Sequence, residues 1–179
     1  MIQREVNEIK ISRTLLYILP VALWVALILH FSSQSYQAQT IKPFLQQHFN
    51  ENHVRAALPD ITIHYNHGVT SAKLDPYGFI EFIFRKSAHL FVYGMLAIVL
   101  YVTLIPLRWK AVYRFFGALV ALVVVASFDE WNQLSSVQRT GTYRDVIVDL
   151  AGGTIFLLLA LTLGRGISYI RSRSSRRKY

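Results

Sequence analysis

Leu90–Leu107 reads LFVYGMLAIVLYVTLIPL, eighteen residues without Asp, Glu, Lys or Arg. At a helical rise of about 1.5 Å per residue such a run crosses most of a hydrocarbon layer, which takes roughly 20 apolar residues. It is not alone. Leu15–Phe31 is also free of charged residues, Phe115–Phe128 is a shorter run, and Val146–Leu163 carries a single acid, Asp149, near its start. A soluble core would spread apolar residues with a helical or strand period, whereas here they are bunched.

Working outward, Asp75-Pro76 is a helix-start signal, so the second helix begins before its apolar run. Tyr77–Arg85 then forms an amphipathic extension at headgroup level. Tyr113 lengthens the third run, which is entered through Arg108, Trp109, Lys110 and Arg114. A cleavable leader is the rival reading of the first run, but no small-x-small site follows it, only Ser32, Ser33 and Gln34. The expected fold is therefore all-α: a single integral-membrane domain over 1–179, a four-transmembrane-helix bundle with helices at about 14–31, 77–107, 113–129 and 145–164 and a tail at 165–179. A long segment follows helix 1. Within it, Ile61–Tyr65 alternates like a short strand, and Asn66-His67-Gly68 is a turn signal.

The chain has 179 residues, 53% of them hydrophobic and 16% charged, with a net charge of +9 and no cysteine. Charged residues make up about a quarter of an ordinary soluble protein, so this composition departs from that class. Without cysteine, disulfides and thiolate metal sites are excluded. The tail holds Arg165, Arg171, Arg173, Arg176, Arg177 and Lys178. Beside a membrane helix it reads as contact with anionic lipid or retention on the cytoplasmic side. Nucleic-acid binding is not expected, because no folded basic module precedes the tail. Counting the N-terminal arm, the loop after helix 2 and the tail, twelve of the nineteen basic residues fall on one side. The positive-inside rule places both termini in the cytoplasm of a multi-pass cell-membrane protein, and the long segment outside.

That orientation gathers polar residues from four stretches in one outer layer: Ser32, Ser33 and Gln34; Arg85, Lys86 and His89; Asp129, Glu130 and Gln133; Arg139, Arg144, Asp145 and Asp149. Lys86, His89 and Tyr93 share a helical face at i, i+3, i+7; Asp129 and Gln133 share one at i, i+4, as do Asp145 and Asp149. Gly152 and Gly153 follow within a turn and permit close helix approach. Ionisable groups at this depth are costly and usually pair. One reading is a headgroup site. Lys86 and Arg139 hold an anion, Asp129, Glu130 and His89 serve as catalytic candidates for proton transfer, and Gln133, Asp145, Asp149, Ser33, Gln34 and Tyr93 complete the binding set. The competing reading is a non-catalytic lock of ion pairs between short helices, with Lys86 set against Asp129. A small lipid transporter is a third, although neither an inverted repeat nor paired broken helices is visible. His53, His64 and His67 read as solvated loop histidines, Ser32-Ser33 as a polar helix end, and Tyr17, Trp24, Tyr101, Trp109 and Trp131 as interfacial anchors or packing. No metal site or cofactor is expected.

Three blocks resemble the VanZ-like membrane proteins: Phe31-Ser32-Ser33-Gln34; Arg85-Lys86-x-x-His89-x-x-x-Tyr93-Gly94; and Asp129-Glu130-x-x-Gln133 continuing to Arg139, Asp145 and Gly152. The chain departs from the pattern at Asp149, where the family often has Asn, and at Val137-Gln138, where a Pro-Gly-like turn is common. The segment from Tyr36 to Lys73 carries no part of the match. The resemblance implies an envelope protein linked to low-level resistance to teicoplanin-type glycopeptides, without a defined reaction. The phosphotransbutyrylase label some relatives carry does not fit four membrane spans. Expected partners are membrane lipids and a lipid-linked or cell-wall substrate, with oligomerisation left open.

Overall fold

A computed structural model describes residues 2–66, 68–134 and 142–176, with side chains described from 16 to 165. Four long helices dominate: α1 (Ile2–Ser32), α5 (Pro76–Thr103), α6 (Ala111–Leu134) and α7 (Tyr143–Arg176). Between α1 and α5 lie three short helices, α2 (Tyr36–Gln39), α3 (Lys42–His48) and α4 (Glu51–Ala57), and a hairpin of β1 (Thr62–Tyr65) and β2 (Gly68–Ser71). Three stretches, Pro76–Leu107, Ala111–Leu134 and Tyr143–Arg165, are each long and apolar enough to cross a membrane. Leu16–Ser32 of α1 meets the same test only together with Tyr36–His48, from which it is bent by 111°. The chain is thus an all-α membrane bundle of three spanning helices with α1 as the fourth apolar helix.

The packing follows from having lipid rather than water outside. Leu23, Val120, Val124, Leu159 and Leu163 are more than half exposed, as expected where lipid is as apolar as the core and association depends on close packing. The buried centre is small. It contains Ile28, Tyr93, Leu96, Ala97, Leu100, Ala118, Leu122, Ala126 and Leu157. Alanines from α5 and α6 and glycines from α5 and α7 let backbones approach. At Gly152 the approach is backbone to backbone: a Cβ built there would lie 2.4 Å from the Leu90 carbonyl oxygen. α5 and α7 share the most extensive interface in the molecule, and they run parallel because α6 returns the chain between them. α1 is fastened to α5 by the Trp24 indole, which donates to the Val92 carbonyl at 3.1 Å. Thr103 Oγ1 makes a second tie, to the Tyr17 carbonyl at 3.1 Å.

α5 starts where the sequence signals it. Asp75 is the N-cap, its Oδ1 accepting from the Gly78 N–H at 2.9 Å, and Pro76 takes the first helical position, where no N–H is needed. At 28 residues α5 is about 42 Å long, more than the hydrocarbon thickness requires. Its first turns rise beyond the bundle and are covered by α3, α4 and β2. The hairpin pairs Thr62 with Ser71 through Tyr65 with Gly68. Asn66 supplies a left-handed residue at φ 56° in its turn, a conformation Asn tolerates. His67 and the tail beyond Arg176 lie outside the described residues.

Candidate functional site

The parallel course of α5 and α7 converts sequence spacing into a ladder. Stepping three residues along α5 from Lys86 to His89 is matched by four along α7 from Asp145 to Asp149. Lys86 Nζ donates to Asp145 Oδ1. One turn deeper, His89 Nδ1 meets Asp149 Oδ1 at 3.0 Å. A further turn down, the Tyr93 hydroxyl donates to Asp129 Oδ2 on α6 at 2.8 Å. Gln133 Nε2 joins the two acids of α6, donating to Asp129 Oδ2 at 3.1 Å and Glu130 Oε1 at 3.4 Å. Glu130 Oε2 accepts from the Thr142 backbone N–H at 2.6 Å, which ties the end of α6 to the start of α7.

These groups are inside the protein. Asp149 is fully buried and Asp129 2% exposed, with Glu130, Gln133 and Asp145 also buried. The balance of charge is unusual. Among the described residues, four carboxylates, Asp129, Glu130, Asp145 and Asp149, meet one ammonium, Lys86, and one imidazole, His89, in this network. Asp129 Oδ1 and Asp149 Oδ2 have no hydrogen-bond partner among the described residues. A buried carboxylate oxygen left unpaired is strongly unfavourable, more so within a membrane.

The long segment covers this cluster. Tyr65, at the end of β1, donates its hydroxyl to Asp145 Oδ1 at 2.6 Å and lies 4.2 Å, centroid to nitrogen, from the Lys86 ammonium. Burial first, and then the bond to Asp145, push the Tyr65 phenol far above the usual tyrosine range, so it remains a donor. Arg144 lies 5.9 Å from the centroid of the same ring.

The remaining sequence candidates separate. Ser33 is exposed and donates to its own helix, at the His30 carbonyl, 2.8 Å away. Gln34 sits at the same helix end, its backbone N–H on the Phe31 carbonyl at 3.2 Å. Neither joins the hydrogen-bond network around Asp149 among the described residues. Arg139 lies outside those residues. Lys86 pairs with Asp145 and not with Asp129, because the parallel α5–α7 interface puts the first turns of those two helices level.

A second polar node was not legible as one. Glu81, 3% exposed on α5, accepts from the Tyr36 hydroxyl at 2.5 Å, the Ile41 N–H at 3.1 Å, Arg85 at 2.8 Å, and the Thr40 hydroxyl. It anchors α2 and α3 to α5 and borders an open cleft of about 270 Å³ with Lys42, Thr70 and Phe82. The i, i+4 spacing of Glu81 and Arg85 was the only local sign; Tyr36 and Thr40 lie over forty residues away.

A family model described as VanZ/LLP1 matches residues 17–164. No curated protein and no solved structure matches the chain.

Proposed function

The chain belongs to the VanZ/LLP1 family, and from that premise we propose that it is a cell-envelope protein whose buried cluster binds and processes an anionic lipid or envelope headgroup, contributing to low-level protection against teicoplanin-type glycopeptides. The observation that carries this reading is the pair of buried carboxylate oxygens, Asp129 Oδ1 and Asp149 Oδ2, without partners among the described residues. A cluster serving only to hold helices together would satisfy both. Unpaired acceptors beside His89 and Glu130 suit a ligand that brings hydroxyl or ammonium donors and exchanges a proton. For Lys86 to hold the anion it must loosen its bond to Asp145, and the role given to Arg139 is a proposal from the sequence. The distribution of basic residues supports an outward-facing cluster with both termini in the cytoplasm.

The test is teicoplanin susceptibility in a susceptible Gram-positive host expressing wild type, Lys86→Ala, Asp129→Ala, Glu130→Ala or Arg139→Ala, with membrane abundance measured for each. The expected result is protection by wild type and its loss in variants that stay abundant. Protection retained in every abundant variant would sink the headgroup reading. Loss of protection only in step with loss of protein favours a second reading, a structural lock, for which the cross-helix bonds Lys86–Asp145, His89–Asp149 and Tyr93–Asp129 speak directly. In that case the exchange Lys86→Asp with Asp145→Lys restores abundance.

A further inference from the structure

Two buried carboxylates and the half-buried His89 converge on one point of the cluster. One ligand atom each from His89, Glu130 and Asp149 lies within 4.8 Å of the other two. They come from three different helices, α5, α6 and α7. Donors on one tetrahedral ion with bonds of about 2.1 Å are roughly 3.4 Å apart, so the three side chains close on one ion by drawing in by up to about 1.4 Å. A second observation points the same way. Asp149 is fully buried and its Oδ2 has no partner among the described residues. The adjoining Asp129, 2% exposed, likewise keeps Oδ1 unpaired. Glu130 is held by the Thr142 N–H on Oε2, and among the described residues Oε1 has only the long 3.4 Å contact with Gln133. Lys86 is engaged by Asp145.

We infer that His89, Glu130 and Asp149 form a binding site for one divalent transition-metal cation. One imidazole nitrogen with two carboxylate oxygens suits Zn²⁺ or Mn²⁺ better than Ca²⁺ or Mg²⁺, which favour all-oxygen shells. The ion offsets the excess of buried negative charge. Three protein ligands leave coordination positions open, as in metal sites that act on a ligand rather than only hold a fold. An anionic headgroup oxygen fills such a position, which gives the proposed function an anion-binding element that does not require Lys86 to leave Asp145. Metal binding itself does not depend on that proposed function.

The experiment uses the full chain purified in detergent, stripped with a chelator, and titrated with Zn²⁺ or Mn²⁺ alone, without added lipid. Bound metal is counted after gel filtration, and thermal unfolding is followed in parallel. The expected result is one ion per chain and a metal-dependent rise in Tm. Glu130→Gln, Asp149→Asn and His89→Gln each weaken binding at least tenfold, while Asp75→Asn, at the distant cap of α5, binds as wild type does. A folded wild type that takes up neither metal, or a Glu130→Gln/Asp149→Asn double variant that folds cooperatively and binds undiminished, overturns the inference. The headgroup reading fails separately. If metal is bound yet metal-site variants of normal abundance protect as wild type does, the site stands and the headgroup reading falls.

Discussion

Gly152→Ala is a sharp test of how the cluster is held. The added Cβ would lie 2.4 Å from the Leu90 carbonyl oxygen, 2.8 Å from its Cα and 3.0 Å from its carbonyl carbon. All three are backbone atoms, so no side-chain rotation relieves the clash. An ordinary carbon–oxygen contact is about 3.3 Å or more, so α5 and α7 must part by roughly 0.9 Å. Leu90 directly follows His89, and Gly152 is less than a turn beyond Asp149. The same displacement therefore stretches the His89–Asp149 contact, now 3.0 Å, to about 3.9 Å, outside hydrogen-bond range. Overpacking typically costs about 1–3 kcal/mol, and a lost bond to a charged group about 1.5–3 kcal/mol. A destabilisation of about 2.5–6 kcal/mol follows. Gly164→Ala is the control. Among the described residues nothing lies within 4 Å of a Cβ there, and the gain in helix propensity makes it neutral or stabilising by up to about 1 kcal/mol. Thermal unfolding in detergent reads both. A Gly152→Ala protein as stable as the Gly164→Ala protein would refute the close α5–α7 approach and the ladder built on it.

Other perturbations separate the layers of the structure. Tyr93→Phe removes the donor to Asp129 Oδ2 without changing shape; it should destabilise by about 1–3 kcal/mol, and an unchanged Tm would mean that bond carries no weight. Trp24→Phe removes the indole tie to Val92 and should cost about 1 kcal/mol, read as earlier proteolysis of α1 relative to the other helices. Asp75→Ala should cost about 1 kcal/mol through loss of the α5 cap, whereas Asp75→Asn keeps the cap and costs less. The same site sets a mild pH dependence. Burial works against the Asp75 carboxylate, but the Gly78 N–H and Lys42 outweigh it and hold its pKa below the usual value. Its contribution is therefore present above about pH 4 and is lost as pH falls through the lowered value. Burial likewise opposes the Lys42 ammonium, and Asp75 outweighs it and raises that pKa. Its contribution is present below the ordinary lysine range and is lost as pH rises through the raised value. The pair is 34% and 55% exposed, so its share is under about 1 kcal/mol, and Asp75→Asn should flatten the acid limb of a Tm-against-pH curve.

The membrane fold was legible because lipid imposes a coarse rule. Runs such as Leu90–Leu107 have few alternatives to a helix, and Asp75-Pro76 marks a boundary by local chemistry alone. The i, i+3, i+7 face of Lys86, His89 and Tyr93 also followed from helical period. What a period does not encode is which residue meets which across helices. Lys86 was set against Asp129 because both are polar at the same end, while its partner Asp145 depends on the parallel alignment of α5 and α7. His89, Glu130 and Asp149 are gathered in one polar layer by the sequence, but no local spacing joins them, so the close approach of one ligand atom from each is not encoded there. Glu81 was hidden because its partners lie in α2 and the turn after it, where the sequence carries no strong helical signal.

The order of the helices along the chain has a consequence for biogenesis. α5 enters the bilayer carrying Lys86 and His89, and α6 brings Asp129 within reach of Tyr93, but Asp145 and Asp149 arrive only with α7. Until α7 is inserted, Lys86 and His89 lack the carboxylates they bond to, Asp145 and Asp149. Insertion of α7 and neutralisation of Lys86 are thus the same event, and a nascent chain stalled before α7 displays an unpaired ammonium.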